Sequence, residues 1–389
     1  MKARLSLFLA ASSVALAALP AFTSRRPRYG GRLVMEIGAT VNSADPSVAA
    51  STPDERTAKA QIDELIYAHR NPDGTFSGAG PFRVQSWTPG REAVLAANEQ
   101  ADGGRPFLDT IQIEMGRAVK DRLIDLEVDK ADLAEIPAEQ ARSAAGSGVR
   151  VSRSQPDELI ALAFNSKSAV GNDPRVREAI ASTIDRAAVV NFILQREGQP
   201  AGALLPQWSS GTSFLFPTAT DLNHAKELWS QLAAAPTISL GYDSADSQAR
   251  AIAERIQVNA QGAGIAMTLE PVSNDAGAKS GVDARLVRLR MASSVPQTAF
   301  LDFLDVLDPL AGVKVDTGNL NESAGPQQVY DAESIVIRSY SVVPIAWVPQ
   351  VYGLSNRVRD WNAPGPGEGW PLANVWLDNM DTQPEKGSS

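Results

Sequence analysis

The apolar positions of this chain repeat at two residues in some stretches and at about four in others, and the switches between those periods mark its elements. Leu33, Met35 and Ile37 alternate with Val34 and Glu36, which predicts a first strand within 31–40. A helix follows from 53 to about 67, with Ile62, Leu65 and Ile66 as its apolar side. Phe82 and Val84, then Ala93, Val94 and Leu95, read as two strands about the turn at Pro89-Gly90. Residues 111–115 alternate cleanly as a strand with one wet face, 122–128 reads as a helix, and 131–136 runs back into a strand. The short apolar run 159–164 predicts a buried strand.

Further along, Asp173 is a good N-cap and Pro174 fits the first helical turn, while Val176, Ile180 and Ile184 form one apolar stripe. Asp185 can cap a second helix carrying Ala188, Val189, Phe192 and Ile193. A loop over 200–217 holds Leu204, Leu205, Trp208 and Phe214, and a helix follows over 221–232. Strand 237–242, helix 248–262 and strand 265–271 predict a parallel pair joined by a right-handed crossover. A strong strand at 342–348 and a loop at 365–367 come near the end. No repeat period is present, and the alternation of strands with helices makes the fold class α/β.

Composition narrows this picture. The chain of 389 residues is 43% hydrophobic and 21% charged, which suits a soluble globular protein with room for two domains. A net charge of -9 argues against nucleic acid as a partner. The absence of cysteine removes disulfides, thiolate metal sites and cysteine nucleophiles. Lys2 and Arg4 precede an apolar stretch over 5–18 with small-residue exits after Ala17 and Ala21, so 1–21 reads as a secretory signal peptide.

Little in the chain points to catalysis. His69 and His224 sit among polar neighbours and read as surface residues, and no Gly-x-Ser-x-Gly elbow is present. The glycines at 78 and 80 lack the ending of a phosphate loop and fit a tight turn into a strand. Glu127, Asp129, Asp132 and Glu135 read as a solvated helix end. No spacing suits a metal, so catalytic residues, cofactors and metal ligands are all expected to be absent. Trp229 and Trp376 read as core; Trp208 and Trp347 fit a ligand cleft or the core equally well on position alone.

Several blocks carry a resemblance in order. Phe164-Asn165 with Asp173-Pro174-Arg175-Val176-Arg177-Glu178-Ala179-Ile180 and Ile184-Asp185-Arg186 resemble a signature of the bacterial extracellular solute-binding proteins of family 5. Ala44-Asp45-Pro46 looks like that family's Leu-Asp-Pro loop. Ser77-Gly78-Ala79-Gly80-Pro81-Phe82 with Trp87 and Pro89-Gly90 resembles its Gly-Thr-Gly-Pro-Phe…Trp-x-Pro-Gly block. Gly103-Gly104-Arg105-Pro106-Phe107-Leu108-Asp109, Asp129 to Leu133, and Pro344 to Tyr352 match further blocks. The resemblance implies a two-lobed periplasmic binding protein of type II-like fold, joined by hinge strands. Its lobe I would take 29–158 and 335–380, its lobe II 159–334, with a disordered tail at 381–389. It implies a periplasmic monomer that traps a peptide-like or other small solute by hinge closure and presents it to the permease subunits of an ABC importer in the inner membrane. The alternative is a degenerate member acting as a sensory or interaction protein.

Three departures bear on the solute. Only residues 68–77 stand where the family carries a small extra subdomain. Ser293 stands where peptide-binding members place an Asp that pairs with the peptide amino terminus, and Arg288 and Arg290 precede it, which favours an anionic or neutral ligand. Ala101-Asp102 replaces the family's Tyr-Trp. On this resemblance the ligand contacts are Val41, Asn42, Trp208, Arg290, Met291, Ser293 and Trp347.

Overall fold

The computed structural model describes residues 26–67, 69–70, 76–211, 217–244, 246–272, 281–318, 320 and 324–378. The expected signal peptide, the C-terminal tail, the 71–74 turn and Phe214 lie outside them. The strands are β1 (Arg32–Glu36), β2 (Phe82–Thr88), β3 (Glu92–Ala97), β4 (Thr110–Glu114), β5 (Leu133–Ile136), β6 (Arg150–Phe164), β7 (Ile238–Asp243), β8 (Met267–Val272), β9 (Ala284–Arg290) and β10 (Val342–Leu354). With the short strand Gln199–Pro200 joined to β10 they make one 11-stranded sheet, in the order β8-β7-β9-β6-β10-β5-β1-β4-β3-β2. The main helices are α1 (Pro53–Ile66), α2 (Val119–Glu127), α3 (Pro174–Thr183), α4 (Leu222–Ser230), α5 (Ser247–Gln261), α6 (Pro296–Ala311) and α7 (Pro326–Arg338).

At one end of the sheet β1 runs parallel to β4 and β5, and at the other β7 runs parallel to β8 and β9. Between these parallel groups lie the antiparallel strands β6 and β10, which pair along their length and continue from one lobe into the other. The half of β6 in lobe II is buried on both faces, which is why its sequence is an unbroken apolar run. Ile160, Leu162 and Phe164 enter a core with Ile180, Ile238, Ile252 and Ile256. Leu159, Ala161 and Ala163 enter a second core with Phe300, Phe303, Leu307 and Ile337. The core of lobe I gathers Leu33, Met35, Ile62, Phe82, Ile111, Tyr352, Trp361 and Trp370.

The other half of β6 is polar, from Arg150 to Glu158, and pairs with the second half of β10. The β6–β10 ladder changes register between Pro344 and Ala346, Val348 and Pro349, and Pro349 and Val351. Prolines cannot donate to a ladder, so the hydrogen-bonded ribbon is loosened where it passes between the lobes.

The family-like helical run is scaffold in the structure. Asp173 caps α3 by accepting from Arg175 N at 2.9 Å. Asp185 accepts from Ala188 N at 2.8 Å, but the helix it caps is only Arg186–Ala188, continued as a π turn over Val189–Ile193. Arg186 is 2% exposed and donates from Nε to Pro344 O at 2.8 Å, tying this corner to β10. A Cβ on Gly80 would lie 2.4 Å from the Ile66 carbonyl carbon, so the glycine lets the chain pass against the end of α1. Beside it, where the family's extra subdomain is expected, is a hairpin pairing His69–Arg70 with Phe76–Ser77. No helix among the described residues is long and apolar enough to cross a membrane.

Candidate functional site at the hinge

Ligands of open α/β sheets sit at the carboxyl ends of parallel strands. In lobe I, β5 ends with Glu135 and Ile136; in lobe II, β9 ends with Arg290. The hinge strands bring these ends together. Glu135 is the cross-strand partner of Tyr352 on β10, and Arg290 that of Glu158 on β6. Met291 N donates to Asp157 O at 2.9 Å, locking the end of β9 to the middle of β6.

Asp157 is fully buried. Its Oδ2 accepts from Gln350 Nε2 at 2.5 Å, and the Oε1 of Gln350 accepts from the Tyr352 hydroxyl at 3.1 Å. Burial pushes the Asp157 carboxyl up to about 6, Glu158 adding to the rise while Arg290 and the Gln350 hydrogen bond oppose it. Glu135 is raised too, by burial, with Arg290 and Arg122 opposing and Asp54 of α1 adding. Burial works against the charge of Arg290, but Glu158, Asp157, Glu135 and the Tyr352 hydroxyl more than offset it. The Arg290 side chain keeps 41% of its surface exposed, and its ion pair with Glu158, at 3.8 Å, is long.

Asp132 and Glu135 are not a solvated helix end. Asp132 is 1% exposed, accepts from Val34 N at 2.9 Å and is paired with Arg357. Glu135 faces the hinge. Local sequence placed polar neighbours beside them, whereas Glu135 lies on β5, a strand inside the sheet, and Asp132 immediately before it.

The other expected contacts divide. Trp208 is 37% exposed and donates from Nε1 to Pro156 O at 2.9 Å, so it stands beside Asp157 with a free face. Ser293 accepts from Val295 N at 3.1 Å, a local turn that leads into α6. Asn42 donates from both its backbone N and its Nδ2 to Glu55 Oε1, each at 3.0 Å, and its amide is engaged within lobe I. Val41, Met291 and Trp347 are 1%, 2% and 2% exposed. Trp347 stacks with Phe303, ring centroids 6.3 Å apart, inside the lobe II core, so core rather than cleft describes it in this conformation. Trp229 and Trp376 are core residues, as their positions predict. Arg288, offered by the sequence as a cation for the ligand, is already engaged: it bonds Asp246 at 2.6 Å, Glu158 at 2.8 Å and Gln248 Oε1 at 2.5 Å.

Long-range contacts flank this group. Gln248, at the start of α5, donates to Glu139, which follows β5. On the other side, the 365–369 loop is held to α1 by Gln61 Nε2, which donates to Glu368 O at 3.1 Å. At its tip Gly367, with φ +74°, packs so closely that a Cβ would lie 2.5 Å from Ala292 O, beside Ser293. Sequence reasoning gave Asp157 and Gln350 no role, read Glu135 as part of a solvated helix end, and placed Tyr352 and Gly367 only in a hinge-strand block and a loop. The one local signal was the Asp157-Glu158 pair set directly against an apolar run.

A continuous sheet, two parallel strand groups and a crossing ribbon of antiparallel hinge strands define a two-lobed binding-protein fold. The profile of the bacterial extracellular solute-binding proteins, family 5 (middle), matches residues 39–305, and the chain belongs to that family. It is 26% identical over 205 residues to the probable D,D-dipeptide-binding periplasmic protein DdpA of Escherichia coli (strain K12), covering 51% of this chain and 39% of that protein. It is 25% identical over 143 residues to the oligopeptide-binding protein AppA of Bacillus subtilis (strain 168), covering 36% and 26%. The chain thus matches well under half the length of these relatives. Among solved structures, the Helicobacter pylori binding protein DppA in complex with the peptide STSA superposes with a TM-score of 0.70 at 15% identity, over 90% of this chain and 99% of that one. A dipeptide-binding protein from Pseudoalteromonas sp. SM9913 in complex with Met-Leu gives 0.66 at 18% identity, over 77% and 64%. At such identities the similarity carries the fold.

Proposed function

We propose that this protein is the periplasmic solute-binding component of an ABC importer, closing its lobes on a peptide-like or other small solute and presenting it to membrane permease subunits. The observation that carries this reading is the meeting of charged strand ends from both lobes across the hinge strands β6 and β10. A solute touching Arg290 of one lobe and Glu135 of the other has more contacts in the closed state than in the open one, which is what drives closure. The named functions of the curated relatives, dipeptide and oligopeptide binding, point the same way. The separate apolar cores support a lobe I built from 29–158 and 335–380 and a lobe II from 159–334. Trp208, Arg290, Met291 and Ser293 remain proposed contacts near the hinge, with Val41, Asn42 and Trp347 behind the walls. The protein acts as a monomer and reaches the periplasm through its signal peptide.

The test is thermal unfolding of ligand-stripped protein against a panel of di- to pentapeptides, amino acids and oligosaccharides. A binder present at a hundredfold excess over Kd adds about 2.7 kcal/mol to the folded state, a rise of about 3 °C. A flat response across the panel, with no small molecule retained in native mass spectra, favours the sensory or interaction alternative instead.

A further inference from the structure

Arginine occupies four of the eight positions 25–32, and the first acidic residue of the chain is Glu36, although the whole carries a net charge of -9. Neither the fold nor the hinge accounts for this run. Arg26, Arg28 and Arg32 are exposed, and no hydrogen bond or ion pair among the described residues engages their guanidinium groups. The arm is nevertheless held at its base. Gly30 and Gly31, with φ +115° and +95°, bend the chain off the line of β1 in a backbone that other residues rarely adopt. Gly30 N donates to Phe107 O at 2.8 Å, and Gly31 N to Asp109 Oδ2 at 3.2 Å. The Tyr29 ring, 66% exposed, leans on Phe107 with centroids 5.0 Å apart. The carboxylates beside this base are already paired. Arg105, 5.2 Å from the Tyr29 ring centroid, binds Glu99 at 2.7 Å and Asp109 at 2.6 Å, so neither acid cancels the charge of the arm.

We propose that this arm is a membrane-docking surface, in which Arg26, Arg28 and Arg32 bind the phosphate groups of anionic phospholipids while Tyr29 seats in the headgroup layer. A guanidinium fork matches phosphate oxygens two at a time, and each arginine near an anionic bilayer contributes about fivefold to affinity. Tyrosine, with an apolar ring and a polar tip, suits the same interface.

Two features select a lipid surface over another polyanion. The apolar stretch over 5–18, which reads as an export signal, lies just ahead of the arm and delivers the chain at a membrane. The net charge of -9 repels a long polyanion laid along the body of the protein. Against a flat surface that repulsion fades within about 8 Å at physiological salt, which leaves the arm as the point of contact. Its position also keeps the hinge clear. Because β1 runs parallel to β5, whose carboxyl end carries Glu135 and Ile136, the arm enters at the opposite end of the strand.

The experiment sediments the exported protein, arm included, with vesicles of phosphatidylcholine alone or with about one third phosphatidylglycerol. Binding is expected to the anionic vesicles only, and should weaken at least ~10-fold between about 50 mM and about 500 mM salt. Replacing all three residues (Arg26→Gln, Arg28→Gln and Arg32→Gln) should weaken it by about 100-fold, with an unchanged melting temperature because these side chains make no bonds in the fold. The single change Arg28→Gln, expected to lose about fivefold, carries the test if the triple variant is unstable. Equal binding to both kinds of vesicle, unchanged binding by the triple variant, or an oligonucleotide duplex held as tightly as the anionic vesicles overturns the assignment. None of these outcomes bears on solute binding at the hinge, which is measured separately.

Discussion

Glu333, on α7, is fully buried and accepts from Leu205 N at 2.8 Å, so one carboxyl under lobe II holds the loop that leads to Trp208. Burial pushes it up to about 7. Because the folded pKa lies above the unfolded one, its contribution is fully present below about pH 4.3 and is lost as pH rises through 7. Glu333→Gln keeps an acceptor and abolishes the charge. Its melting temperature relative to wild type should climb steadily from pH 5 to pH 8, by the equivalent of about 2 kcal/mol; a difference independent of pH would show that the carboxyl is not held neutral in the fold. Gly80 offers a steric counterpart. Gly80→Ala must move the end of α1, where a Cβ would lie 2.4 Å from backbone, and should cost about 1–3 kcal/mol in urea unfolding. The glycine was legible as a turn in the sequence, but the backbone it must admit was not. The same holds for Arg288: a cation is visible in the sequence, its three internal partners are not.

Among elements, those whose signal is local were readable. Helix α1 follows its apolar spacing and its proline start, and α3 its Asp-Pro cap. Asp173→Ala should therefore cost about 1 kcal/mol, seen as a lower melting temperature with the sheet signal in circular dichroism unchanged. The second helix foreseen after Asp185 shrank to three residues and a π turn, because Arg186 is drawn into the interior by Pro344 O. The polar half of β6 gave no strand signal: Arg150 to Glu158 lacks alternation, and its extended form comes from pairing with β10. Helix α6 contains Pro309, a breaker in local terms, which is tolerated in its final turn.

At the scale of the molecule, Gly367 of the 365–369 loop packs against Ala292 O, far from it in sequence. A side chain there has no room, and at φ +74° it is also strained. Gly367→Val should hold the lobes apart, giving a larger radius of gyration by X-ray scattering and solute affinity weaker by roughly tenfold. An unchanged scattering curve would mean that the loop yields instead of the hinge. The α/β class, most element positions and, through ordered blocks, the family were legible in the chain; these depend on short-range periodicity and caps, which a linear sequence displays directly. It took the folded chain to set the strands carrying Glu135, Asp157 and Arg290 side by side, to give Ser293 to a turn and to put Trp347 in a core. The charge state and partners of a side chain depend on which distant strands the sheet sets beside it, and nothing in the local pattern encodes that neighbourhood.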